Sequence, residues 1–179
     1  MAAEAPSPIT PGRDAQIMLH EVLQGLHLAG PAQDLFGRFP TLHEASLRLS
    51  WLMTQKLLYP LTGRPLLAHC MEDALFAGVN AKGSGRNVRK VFLTTLLRNA
   101  CKLLEVDVRS RRERWDPLFD DGLATWFPDR STMHVHPHPP RDIPLQSPER
   151  FYRGLALRIV SPSDLADLPL QLGSTECAA

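Results

Sequence analysis

The sequence predicts a mainly α-helical protein, with a single compact domain of about four to five helices and a proline-rich C-terminal appendage. Three observations predict it: apolar residues recur at helical spacing up to about residue 107, helix start and stop signals flank these stretches, and proline is dense from residue 128 onward. The chain has 179 residues, 44% hydrophobic and 22% charged, which is the ordinary composition of one globular domain. We expect a flexible tail over 1–12, a helical domain over 13–127 and an appendage over 128–179, for which packing on the helical domain stays open.

Signals for helix ends delimit three helices in the first half of the chain. The first has Asp14 as its N-cap and ends before a Gly-Pro pair. The second begins with Thr41 and Glu44 at capping-box spacing and ends before Pro60, which has no amide donor. The third has Pro65 in its first turn and a glycine at its end. The three predicted ranges are 14–28, 41–59 and 65–78.

The clearest amphipathic stretch of the chain begins near residue 86 and predicts a fourth helix. At 100° per residue, apolar side chains fall on one face of it and basic side chains gather on the opposite face. The apolar face consists of Val88, Phe92, Leu96, Ala100 and Leu103, and the basic face of Arg86, Lys90, Arg98 and Lys102. We expect the apolar face to be buried and the basic face to meet solvent or a partner.

Proline density excludes long helices from the appendage and favours extended segments joined by turns. Two segments, 131–136 and 151–160, are able to pair there as a short β-hairpin. The second segment is also preceded by Ser147, Pro148 and Glu149, which together make a good helix start. That segment therefore stays open between strand and helix.

Positive charge is concentrated in one block of a nearly neutral chain. The net charge is +1, yet residues 82–114 hold ten Lys or Arg and only three Asp or Glu. Arginine forks match phosphate oxygens in a bidentate way, so the block predicts a phosphate-binding surface. We therefore expect a noncatalytic subunit of a larger complex that contacts nucleic acid, either RNA or DNA, through this block. The predicted contact residues are Lys82, Arg86, Arg89, Lys90, Arg98, Lys102, Arg109, Arg111, Arg112 and Arg114.

Two other interpretations of the sequence stay open. A basic helix face also fits a protein-interaction or scaffolding domain with an acidic partner. The third interpretation is a metal-dependent enzyme, because His134, His136 and His138 alternate as metal ligands on one side of a strand do. Prolines between and after these histidines interrupt such a strand, so we predict no metal site there and no cofactor.

The sequence indicates neither membrane contact nor export. No uncharged apolar run approaches the roughly 18 to 20 residues that span a bilayer, and residues 1–11 lack the apolar core of a secretory signal. The cysteines, Cys70, Cys101 and Cys177, are widely spaced and form no C-x-x-C pair, which favours a reducing compartment. We expect a cytoplasmic protein, with the nucleus as the alternative.

Overall fold

A computed structural model describes residues 5–54, 57–59, 61–110, 113–126, 133–137 and 147–169 of the chain. Within these residues the chain is mainly helical, with eight α-helices, one 3₁₀ helix and a small antiparallel sheet. The predicted fold class is therefore confirmed, although the helices are more numerous than expected. In chain order the elements are α1 (Ala15–Gly25), α2 (Ala29–Arg38), α3 (Pro40–Met53), α4 (Leu66–Asn80), α5 (Gly85–Ala100), the 3₁₀ helix η1 (Cys101–Glu105), β1 (Val106–Ser110), β2 (Glu113–Arg114), α6 (Leu123–Trp126), β3 (Met133–Pro137), α7 (Pro148–Ile159) and α8 (Pro162–Leu165).

At two helix starts the predicted side-chain capping is absent, although α1 does have Asp14 as its N-cap residue. Asp14 precedes α1, but its side chain makes no capping hydrogen bond. Helix α3 begins at Pro40, so Thr41 lies inside its first turn rather than at its cap. The Thr41 Oγ1 atom is buried and has no hydrogen-bond partner among the described residues. The predicted capping box is therefore wrong, and a proline begins the helix because its missing amide costs nothing in the first turn.

Helix α2 and the end of α3 also depart from the sequence-based prediction. The Gly30-Pro31 pair is expected to stop a helix, yet both residues lie in the first turn of α2, where proline is well tolerated. Helix α3 ends at Met53, well before the predicted end at residue 59. Thr54 has a φ of 58°, which lies outside the right-handed helical region, so the chain leaves the helix there.

The apolar face of α5 lies at the centre of the hydrophobic core. All five side chains of the predicted apolar face are buried, so that prediction is confirmed. Ser84 caps the helix, because its Oγ accepts a hydrogen bond from the Asn87 amide. The same core includes Ile9 from the segment before α1 and Ile159 from α7, so it extends beyond the predicted boundaries of the helical domain.

The small sheet has β1 at its centre, in the order β2-β1-β3, with antiparallel pairing on both sides. Strand β3 therefore pairs with β1, and the predicted hairpin between 131–136 and 151–160 does not form. The second segment lies in α7, which Ser147 caps by accepting a hydrogen bond of 3.3 Å from the Arg150 amide. Buried side chains from both ends of α7 belong to the core, so this part of the appendage packs on the helical body.

Part of the predicted flexible tail contacts α7. The Ile9 amide donates a hydrogen bond of 2.9 Å to the carbonyl of Arg158, and the Ile9 side chain is only 3% exposed. The Arg158 Nε atom donates in turn to the Ser7 carbonyl at 3.1 Å. Among the described residues, no helix is both long and apolar enough to cross a bilayer.

Candidate nucleic-acid interface

Helix α5 divides the basic block into two separate groups of side chains. The helix has 16 residues and is therefore about 24 Å long. Four of the predicted contact residues, Lys82, Arg86, Arg89 and Lys90, lie before the helix or in its first two turns. Arg98 lies in its last turn, and Lys102, Arg109 and Arg114 lie beyond it. Arg111 and Arg112 lie outside the described residues.

The group at the start of α5 is held together by contacts with α8 and the turn after it. Arg86 forms an ion pair with Asp167, and the Arg89 Nε atom lies 3.0 Å from Asp164 Oδ1. Asp164 is buried, whereas the Arg86 side chain is 71% exposed. The backbone of Lys82 is fixed against the first turn, because Asn87 Nδ2 donates to its carbonyl at 2.7 Å. The Lys82 and Lys90 side chains are both exposed.

Arg38 is a fifth cation of this group, and it joins the group through contact with an aromatic ring. Its position in the sequence does not predict this contact. The guanidinium carbon of Arg38, the last residue of α2, lies 5.3 Å from the centroid of the Phe39 ring, and that of Arg89 lies 5.9 Å from it. A Cβ atom on Gly85 would meet the Phe39 ring at 2.8 Å, so glycine at this position allows the ring to approach. We call Arg38, Lys82, Arg86, Arg89 and Lys90 the N-terminal basic surface.

Three cations of the N-terminal basic surface act on one partly exposed carboxylate, that of Asp167. The pKa of Asp167 is lowered, first by the hydrogen bond from Arg86 and then by the charges of Arg86, Arg89 and Lys90. The first turn of α5 contains no acidic residue, although the positive end of a helix dipole favours acidic over basic side chains. Three cations therefore act together on the position that the Asp167 carboxylate occupies.

The two strand arginines share one carboxylate within the sheet. Arg109 and Arg114 are directly opposite one another on β1 and β2, an arrangement of like charges that is unfavourable by itself. The buried carboxylate of Asp107 resolves it, because Arg109 Nε lies 2.6 Å from Oδ2 and Arg114 Nε lies 3.0 Å from Oδ1. These two arginines therefore bridge to a carboxylate of the same sheet.

Lys102 belongs to a polar cluster rather than to an open basic face. Its Nζ atom donates a hydrogen bond of 2.6 Å to His69 Nε2 and lies 5.3 Å from the centroid of the Tyr59 ring. The Tyr59 hydroxyl donates to Glu105, and burial followed by this hydrogen bond raises the pKa of Tyr59 to about 12. Arg98 is exposed, and its charge acts on the hydroxyl of Tyr152. No sequence spacing joins the members of this cluster, so it is found only in the structure.

The histidine segment lies on the outer strand of the sheet. In the β1–β3 register, His134 is opposite Arg109 and His136 is opposite Asp107. The His134 side chain is exposed, and His138 lies outside the described residues. Within the described part of the chain, no three His, Cys, Asp or Glu side chains come together as metal ligands would.

The structure thus keeps four of the ten predicted contact residues together, adds Arg38 to them, and separates them from the sheet arginines and from Lys102. What joins them is the fold around the start of α5, where α2, α5 and α8 meet. No protein-family model, no curated protein and no solved structure matches the chain.

Proposed function

We propose that this protein is a noncatalytic binding subunit that contacts nucleic-acid phosphates through the N-terminal basic surface. The observation that supports the proposal is that the charges of Arg86, Arg89 and Lys90 all act on the carboxylate of Asp167. A carboxylate oxygen and a phosphate oxygen accept the same charge-assisted hydrogen bonds from guanidinium groups. A phosphate is therefore a natural replacement for Asp167 beside these cations.

The acidic side chains at this surface act as competitors that nucleic acid displaces. Ion pairs at the protein surface contribute little to stability, and the Arg86 side of the Arg86–Asp167 pair is 71% exposed, so exchanging the carboxylate for a phosphate costs little. Among the described residues, no ion pair joins Arg38, Lys82 or Lys90 to a carboxylate. Three cations are therefore ready to bind phosphate, and none of them lies on an element that reads base edges, so the expected binding is independent of sequence.

The test is fluorescence anisotropy with labelled 20-nucleotide single strands of DNA and RNA and with duplex DNA, at several salt concentrations. If about three phosphates are neutralised, log K against log salt should have a slope of about −3 on duplex DNA and a shallower slope on single strands. Replacing Lys82 and Lys90 with Ser should weaken binding to every sequence alike and reduce the slope by about 2. Replacing Asp167 with Asn should strengthen binding, because the competitor of Arg86 is removed.

The matched control is the double variant Arg150→Ser, Arg153→Ser. Both arginines are exposed on the first half of α7 and lie outside the N-terminal basic surface. This variant changes the net charge by the same amount as the Lys82, Lys90 variant does. It should bind nearly as well as the wild type. The proposal is wrong if no probe binds at low salt, or if the control variant and the Lys82, Lys90 variant lose affinity equally.

A protein partner is the second candidate, and one observation favours it. On the outer face of α4, Phe76 is 73% exposed and Val79, one turn later, is 55% exposed. Contacts of Lys102 with His69 and of Asn99 with Asp73 place α4 antiparallel to α5, whose outer face carries exposed basic side chains. An apolar patch beside positive charge suits an acidic partner with an apolar anchor.

The second candidate is tested by a pull-down from nuclease-treated lysate. The wild type should retain a specific acidic protein, and the double variant Phe76→Ser, Val79→Ser should lose it while keeping its nucleic-acid affinity. Loss of all captured protein after nuclease treatment would leave nucleic acid as the partner.

We further propose a reducing compartment, the cytoplasm or the nucleus, as the place where this subunit acts. Cys70 and Cys101 are buried in the core and neither is part of a disulfide, which is the usual state of cysteines in a reducing compartment. Labelling of both thiols only after denaturation, in protein taken directly from cells, would support this proposal, and recovery of either one in an oxidised form would contradict it.

A further inference from the structure

An open cavity of about 420 Å³ lies between α1, α2 and α3, and neither the basic block nor the polar cluster contributes to it. Its apolar floor consists of buried side chains from α1 and α2, Leu19, Leu23, Ala32 and Phe36. The volume lies within the range of about 300 to 1,000 Å³ that small-molecule sites occupy. The cavity therefore has the size and the apolar floor of a ligand site.

The rim of the cavity is polar. Gln16 and His20 reach it from α1 and Gln33 from α2, and all three are exposed. No Asp, Glu, Lys or Arg side chain is part of the described lining. Amide groups both donate and accept hydrogen bonds, so this rim suits a neutral ligand that has both kinds of group.

One wall of the cavity is aromatic. The rings of Phe36 and His43 are stacked, with centroids 5.2 Å apart and planes inclined by 28°. The Phe36 ring is held from behind by an edge contact with Phe92, whose centroid lies 6.2 Å away. Burial lowers the pKa of His43, which favours its neutral imidazole. Because the two rings face one another, another flat ring would contact this stack at an outer face or at an edge, and both arrangements are favourable between aromatic rings.

The cavity also owes its openness to a glycine. Gly37 is part of the lining, and a Cβ atom built on it would meet no other atom within 4 Å. A side chain at this position would therefore extend into free space without straining the protein. Gly30, in the first turn of the same helix, also has free space around it but does not line the cavity.

We infer that this cavity is a binding site for a neutral, planar nitrogen heterocycle, held between the Phe36–His43 wall and the rim glutamines. The ring is either a free small molecule or an unpaired base of a nucleic-acid strand, since both present the same flat face and the same hydrogen-bonding edge. The inference does not require the N-terminal basic surface to bind phosphate. If both sites act together, Arg38 follows Gly37 directly and connects them.

The probe is 2-aminopurine, a neutral fluorescent heterocycle whose emission falls when it stacks. One arm uses the free riboside and the other a single-stranded 10-nucleotide DNA with one internal 2-aminopurine. We expect quenching that saturates as protein is added, with a stoichiometry of one riboside per protein and a Kd for the riboside below about 1 mM. The Gly37→Leu variant should bind about tenfold or more weakly, whereas Gly30→Leu, the matched control, should bind as the wild type does.

A second measurement keeps the test independent of whether Gly37→Leu folds. On addition of the riboside to the wild type, the amide signals of Ala32, Gln33 and Gly37 should shift in ¹H–¹⁵N spectra, and Gln33→Met should weaken binding. Quenching by the riboside alone identifies a small-molecule site, and quenching only within the strand identifies a base site.

The inference is overturned if neither arm is quenched, or if quenching is equal in Gly37→Leu and Gly30→Leu and no amide of the lining shifts. If the anisotropy experiment detects no nucleic-acid binding but the riboside still binds, only the proposed nucleic-acid function is contradicted. If nucleic-acid binding is detected by anisotropy but 2-aminopurine is quenched in neither arm, only the inferred heterocycle site is contradicted.

Discussion

Arg158 Nη1 donates a hydrogen bond of 2.7 Å to the backbone carbonyl of Pro117, while Nε of the same guanidinium binds the Ser7 carbonyl. The side chain is 5% exposed, and burial lowers the pKa of Arg158, an effect only partly offset by Asp121, Asp116 and Asp120. One buried cation thus joins the segment before α1, the loop before α6 and α7.

Replacing Arg158 with Met should therefore destabilise the protein by about 2 to 4 kcal/mol, because two backbone carbonyls lose a charged donor in partly buried hydrogen bonds. Urea unfolding measures the loss. In addition, the Ile9 amide should exchange its hydrogen faster, since the segment around Ser7 loses one of its two hydrogen bonds to α7. Arg158→Lys should recover only part of the stability, because an ammonium group lacks the guanidinium fork. Unchanged stability in Arg158→Met would show that the two hydrogen bonds are not important.

The Asp107 carboxylate is expected to link stability and polyanion affinity with opposite signs. Asp107→Asn should lower stability by about 1 to 3 kcal/mol, because two opposed arginines lose their shared anion. The same variant should bind nucleic acid at least as tightly as the wild type, since Arg109 gains freedom to meet phosphate. Thermal unfolding and anisotropy measured on one sample check both effects. A loss of affinity in the folded variant would contradict this account.

The two tyrosines of the chain should ionise at a higher pH in the folded protein than in the unfolded chain. Burial and the Glu105 hydrogen bond raise the pKa of Tyr59 to about 12, and burial chiefly raises that of Tyr152 to about 12. At pH 10.5 the unfolded chain should have about three quarters of its tyrosine as tyrosinate, but the folded protein only about 3%. Difference absorbance of tyrosinate with and without urea measures these fractions.

The same shifts determine how stability depends on alkaline pH. A folded-state pKa above the unfolded value means that the native state binds more protons between the two values, so ΔG of unfolding falls as pH rises. Stability from these tyrosines is therefore complete below about pH 10 and is lost between about pH 10 and 12. Replacing Tyr59 with Phe should make this loss smaller, and an unchanged pH profile would argue against a buried Tyr59.

Phe92 should be among the most costly residues to truncate. Its side chain is fully buried at the centre of α5 and supports the Phe36 ring. Phe92→Ala should lower the free energy of unfolding by about 3 to 5 kcal/mol. The matched control is Phe76→Ala on the exposed face of α4, which should be nearly neutral. Equal costs for the two variants would mean that the outer face of α4 is already covered.

How much the sequence predicts depends on whether a feature is local. The α5 periodicity predicts burial from Val88 to Leu103 correctly, because one helix face determines it. The end of α3 at Met53 was not predictable in this way, since it depends on a positive φ at Thr54 rather than on Pro60. Local sequence patterns therefore predict which face of a helix is buried more reliably than they predict where the helix ends.

The site shows the same division between local and distant relationships. The basic block is contiguous in sequence, but a helix of 16 residues separates its ends in space. Arg38 joins the N-terminal basic surface through the Phe39 ring, and Asp164 opposes it from α8, although both are distant in sequence. Charge spacing alone contains no information about such contacts, because tertiary packing creates them.

The Ser7–Arg158 contact has a consequence for synthesis on the ribosome. Its partners are separated by 151 residues, so every helix through α6 has been made before Arg158 exists. Until then Ile9 has no carbonyl on α7 to bind, and the apolar surface that α7 covers stays open to water. Closing such a long loop adds an entropic cost that local helices do not have. Until α7 is made, the nascent chain therefore exposes apolar surface. This is the interval in which chaperone binding protects it most and in which aggregation is most favoured.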